Sequence, residues 1–173
     1  MKTTLDRRWS PDPLPDLGKV LEFLQLIWAV DQGLQRSSKQ MEMTTGITIS
    51  QRIVIRIVGR FPGIPAGHLA RLLHIHPGTL SGMVNRLERQ GLVRRRQDPR
   101  DGRRTLLGLT EKGRSLGIKH LGAVETAIER LFEHTPESNL RSAREVLMFI
   151  ADTLASAHEQ NHDLRLGAAK DHN

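Results

Sequence analysis

The feature that most narrows the folds open to this chain is a change of hydrophobic period at Gly91. Before it, apolar residues recur at three- and four-residue steps, the repeat of one helical face. After it the repeat drops to two, as in a half-buried strand. Leu92–Gln97 reads as one strand and Arg103–Leu109 as another, with the turn-rich Asp98-Pro-Arg-Asp-Gly102 between them. A helix running straight into a basic hairpin is a wing arrangement.

The segments upstream are punctuated as helices. His76-Pro77-Gly78-Thr79 marks a helix start, because proline is favoured at the first helical position, where its missing N–H would have had no partner. A helix over 77–90 follows, with His76 as N-cap, Leu80, Val84 (or Met83) and Leu87 as its stripe, and Gly91 as its stop. Pro65–Leu73 reads as a short helix with Leu69, Leu72 and Leu73 on one face. Two such helices joined by a short turn form a helix-turn-helix. Thr48-Ile-Ser-Gln51 has capping-box spacing. The run Ile53–Val58 behind it is β-branched enough for a strand, but a helix over about 50–60 fits the cap.

Long amphipathic segments flank this unit. One helix is expected over 16–45, stopped by Gly46. Thr110 should cap another, with Leu116, Leu121, Val124, Ile128 and Leu131 carrying it to about 133. Pro136 opens the last, with Leu140, Val146, Leu147, Ile150 and Leu154 as its stripe. Residues 1–15 read as a flexible arm and 163–173 as a frayed tail. The fold class expected is mainly α with a small β-hairpin wing.

Charge points to a partner. The chain carries a formal +7, which favours a polyanion, nucleic acid or an anionic membrane. From Arg86 to Arg104 there are eight arginines and three acids, a net +5. That concentration on one helix and hairpin favours a duplex over a membrane, which would call for one arginine-rich helical face. With no cysteine, disulfides, thiol redox sensing, thiolate zinc sites and cysteine nucleophiles are excluded. No HExxH, P-loop, G-x-S-x-G or post-strand G-x-G-x-x-G motif is found, so an enzyme is not expected. The only metal candidates are His158 with His162, at i, i+4 spacing, and the group His68, His74, His76. Neither motivates a metal site, and no cofactor is expected. A cytoplasmic protein is expected, since no apolar run is long enough to span a bilayer.

The combination Leu69-Ala70, Thr79-Leu-Ser81, Arg86-Leu-Glu88, Gly91-Leu-Val93, Asp101-Gly-Arg103 and Leu109-Thr110 with Gly113 resembles the MarR (multiple antibiotic resistance regulator) family over about 48–115. The resemblance implies a winged helix-turn-helix transcriptional regulator, by default a repressor, working as an intertwined homodimer on a pseudo-palindromic operator. It implies dimerisation helices over 16–47 and 111–162 around a DNA-binding lobe over 48–110. It also implies a small effector, often an aromatic acid, for which Trp28, unless it is simply a core residue, offers a stacking face and Arg52 a carboxylate partner. Gly82 departs from the family, which often has a larger polar or basic residue there. The rival reading is a winged-helix protein-interaction module without specific DNA readout.

Expected DNA contacts follow. Thr79 and Ser81 sit near the N-terminal end of the recognition helix, which attracts phosphate through its free amides. Asn85 and Arg86 suit base edges in the major groove. Arg100 and Arg103 are expected at the wing tip, with Asp101 orienting Arg103 through a charge-assisted bond. Arg94, Arg95, Arg96 and Arg104 are expected on phosphates.

Overall fold

A computed structural model describes residues 17–119 and 122–170, with side chains described over 17–116 and 122–156. The arm 1–15 and Leu121 fall outside the described residues, as do the side chains of His158 and His162. The chain divides into two compact units, one ending at Arg36 and one beginning at Ser37.

Helix α1 spans Gly18–Thr45 and buries none of its residues; Val20, Phe23, Leu24 and Trp28 are all exposed. Gly46 stops it in the left-handed region at φ +75°, where its N–H closes on the Glu42 carbonyl. Helix α2, Ile49–Arg60, begins with a complete capping box: Thr48 Oγ1 accepts from the Gln51 amide, and Gln51 Oε1 accepts from the Thr48 amide. That cap decides between strand and helix for Ile53–Val58. Once it is helical, Val54, Ile55 and Val58 share the buried face, and their burial outweighs the modest helix penalty of β-branching.

The turn after α2 contains a short strand that no local sequence pattern announces. Ile64–Pro65 form a two-residue strand, β1. It is followed by α3 (Ala66–Leu72), α4 (Pro77–Arg89), β2 (Val93–Asp98) and β3 (Asp101–Leu109). The sheet is antiparallel in the order β1-β3-β2, with Val93 opposite Leu109 and Gln97 opposite Thr105. The hairpin is tighter than expected, since β3 already begins at Asp101. Gly91 ends α4 at φ +69°.

The helix expected from Thr110 to about 133 is two helices, α5 (Glu111–Lys119) and α6 (Ala123–His134). Gly122 has the extended N-cap conformation of α6. Helix α7 runs Glu137–Lys170, so helical backbone continues past 162.

Among the described residues, the buried apolar core lies within 47–109. It joins Val54, Ile55 and Val58 of α2 to Leu69 of α3, Leu80, Val84 and Leu87 of α4, and Val93, Leu107 and Leu109 of the hairpin. Helix α4 and the β2–β3 hairpin are therefore packed on one apolar cluster.

Thr110 and Gly113 set where α5 leaves that cluster. Thr110 Oγ1 donates to the Gly91 carbonyl at 2.6 Å and accepts from the Gly113 amide at 3.0 Å. Gly113 lies against the Leu92 backbone so closely that any Cβ there would overlap the Leu92 carbonyl oxygen.

Candidate nucleic-acid interface

Helix α4 presents two chemically different sides. Leu80, Val84 and Leu87 are buried, while Thr79, Ser81, Gly82, Asn85, Arg86 and Arg89 are exposed. Its start is secured by His76, whose Nδ1 accepts from the Gly78 amide at 3.1 Å. The preceding turn holds His74 at φ +50°, with its Nδ1 2.8 Å from Asp152 Oδ1. Gly82 lies in the middle of the exposed side, and a Cβ there would meet nothing within 4 Å. Arg86 lies 3.9 Å from Glu42, but both side chains are more than half exposed, so this pair does little to restrain the guanidinium.

The wing sorts its arginines by strand alternation. Side chains of successive strand residues point to opposite faces. Arg94 and Arg96 are exposed, whereas Arg95 shares its face with the buried Val93. Arg95 is accordingly drawn in rather than displayed. Its guanidinium donates to Asn85 Oδ1 at 2.6 Å, Glu88 Oε2 at 3.2 Å and the Ser81 carbonyl at 3.3 Å. Two residues expected to touch DNA, Arg95 and Asn85, thus bind each other.

At the tip, Asp98 Oδ1 accepts from the Arg100 amide at 2.9 Å, and Asp101 Oδ1 from the Arg103 amide at 3.1 Å. The other Asp101 oxygen pairs with Arg104 Nε at 3.2 Å. Asp101, expected to orient Arg103, contacts it through the main-chain amide in this geometry. The carboxylate fixes the Arg103 main chain and pairs with Arg104, leaving the Arg103 side chain to solvent.

The two residues considered for an effector differ in setting. Trp28 is exposed on α1. Arg52 of α2 is buried, and its Nε lies 2.8 Å from Glu125 Oε2 of α6. Glu125, which the sequence reading did not single out, sits at the third position of α6, where it also accepts the Gly122 amide. Its spacing from Gly122 was the available signal.

Among the described residues, no group of three or more histidines and carboxylates is arranged to hold a metal ion. None of their helices is long and apolar enough to cross a membrane.

Residues 45–104 match the sequence profile of the MarR family. The winged-helix segment belongs to the MarR family. A curated relative of the chain is the organic hydroperoxide resistance transcriptional regulator of Bacillus subtilis, 26% identical over 136 residues, which covers 79% of the chain and 89% of the relative. The transcriptional regulator HosA of Escherichia coli O111:H- is 33% identical over 82 residues, covering 47% and 61%. Among solved structures, the Staphylococcus aureus MepR–DNA complex matches with a TM-score of 0.63 at 21% identity, covering 79% of this chain and 99% of MepR. That likeness is one of fold: the helix order and the small antiparallel sheet are those of MarR-type winged-helix regulators.

Proposed function

We propose that this MarR-family chain is a cytoplasmic transcriptional repressor that binds a pseudo-palindromic duplex as a homodimer. The observation that carries this reading is the position of the positive charge. The exposed side of α4 and the adjoining hairpin hold most of the chain's net charge, on a rigid apolar base. Helix α4 fits the major groove, where base edges differ in donors and acceptors, with Thr79, Ser81 and Arg86 toward the duplex. Arg100 and Arg103 at the wing tip suit a narrow minor groove, whose negative potential attracts arginine. Arg94, Arg96 and Arg104 suit phosphates.

The second copy is supported by apolar surface. Leu24, Ile27 and Val30 of α1, Leu131 and Phe132 of α6, and Leu147 and Phe149 of α7 are exposed. A second chain that buries these residues would gain the hydrophobic stabilisation they lack in one copy. An aromatic-acid effector at Arg52 would have to compete with Glu125 for the guanidinium.

Selection of bound fragments from a pool of random duplexes tests the reading. The expected result is an inverted repeat with half-sites about one helical turn apart. Recovery of an unenriched pool would leave only the protein-interaction alternative.

A further inference from the structure

We propose that Arg95 is a positioning residue that holds Asn85 as a hydrogen-bond donor, so that Asn85 selects guanine rather than adenine in the operator. The proposal rests on the reading of α4 as a DNA recognition helix. It begins from chemistry that leaves no freedom. A guanidinium has only donors, so the Asn85 atom facing Arg95 Nη1 at 2.6 Å is the carbonyl oxygen, Oδ1. The amide orientation, ordinarily open to a flip, is fixed by that contact.

Arg95 is itself held independently of Asn85. Nη1 also reaches Glu88 Oε2, and Nη2 reaches the Ser81 carbonyl. Ser81, Asn85 and Glu88 are spaced by four and then three residues, so they line one edge of α4. The Arg95 side chain is 31% exposed, against 62% for Arg104, consistent with a group committed to the protein. The edge it occupies lies between the buried face and the open face, so Asn85 stands at the border of the surface that would meet base pairs.

Asparagine recognises adenine by accepting from N6 through Oδ1 while donating to N7 through Nδ2. With one of the two Oδ1 lone pairs and the amide plane held by Arg95, the function presented most freely to a base is the Nδ2 pair of N–H donors. Guanine offers two major-groove acceptors, N7 and O6, to such a donor; adenine would satisfy only half of its usual pair. Both Nη1 N–H groups are spent on Asn85 and Glu88 and one Nη2 N–H on Ser81, so only Nε and one Nη2 N–H are left to the guanidinium for any other acceptor.

Random-duplex selection with the full chain, its Asn85→Ala variant and its Arg95→Met variant tests this, together with the salt dependence of affinity for the enriched site. Asn85→Ala identifies the base pair that Asn85 reads, because preference is lost there alone. The wild type is expected to carry guanine at that base pair. Arg95→Met should shift it toward adenine by about fivefold or more, with an unchanged salt slope. Adenine in the wild type, no loss of preference in Asn85→Ala, or a slope lowered by about one per subunit in Arg95→Met with base preference intact would each overturn the assignment. Should Arg95→Met not fold, the wild type and Asn85→Ala still decide between guanine and adenine. Failure of the parent reading looks different: no sequence is enriched by the wild type at all, and the assignment falls with it.

Discussion

Arg52 of α2 and Glu125 of α6 lie 73 positions apart in sequence, and their Nε and Oε2 atoms are 2.8 Å apart, with the arginine side chain only 5% exposed. Glu125 uses its other oxygen on Arg56 at 3.4 Å and also closes the first turn of α6 through the Gly122 amide. One carboxylate therefore ties α2 of the winged lobe to α6. Among the described residues Arg52 Nη2 is buried without a hydrogen-bond partner, so the guanidinium depends heavily on this single acid.

Removing that acid leaves a buried cation unpaired. Glu125→Ala is expected to lower unfolding stability by about 3 kcal/mol, the lower end for a broken buried pair because Glu125 is a quarter exposed. Arg56→Ala should cost less than about 1 kcal/mol, since Arg56 is half exposed. Urea unfolding of the two variants measures the difference; equal losses would deny Arg52–Glu125 its special role.

Gly113 makes a second prediction. A methyl group there would overlap the Leu92 carbonyl, so α5 would have to move off the hairpin. Gly113→Ala should destabilise by about 1–3 kcal/mol, as overpacking does. Thr110→Val, which removes the bonds to Gly91 and Gly113, should cost about 1 kcal/mol. Thermal unfolding reads both.

At Gly82 the sign reverses. The helix is regular there and a Cβ meets nothing, so Gly82→Ala should stabilise by about 0.5–1 kcal/mol. A lower melting temperature in that variant would mean that α4 is not helical at this position in solution.

The legible parts of this chain were those governed by local rules. The capping box at Thr48, the proline start of α4 and the stop at Gly91 are each decided within a few residues, and the periodicity of Leu80, Val84 and Leu87 exposed the buried side of α4 directly. What stayed hidden depends on distant partners. Strand β1 exists only because Leu106 and Leu107 offer it an edge. Arg52 could be noticed in sequence, but its link to Glu125 spans most of the lobe. The wing arginines fall between these cases. Alternation alone separates Arg95 from Arg94 and Arg96, yet only the position of Glu88 and Asn85 on α4 shows what Arg95 is held by.

The central claim is that the arginines of this winged lobe meet a duplex. Each phosphate neutralised by an arginine contributes about 0.9 to the slope of log affinity against log salt. The most direct measurement is that slope for the full chain and for Arg103→Ala, on the selected operator. A steep linear decline, reduced by about one or two per dimer in the variant, is the predicted result. A shallow dependence, with Arg103→Ala indistinguishable from the wild type, would contradict it.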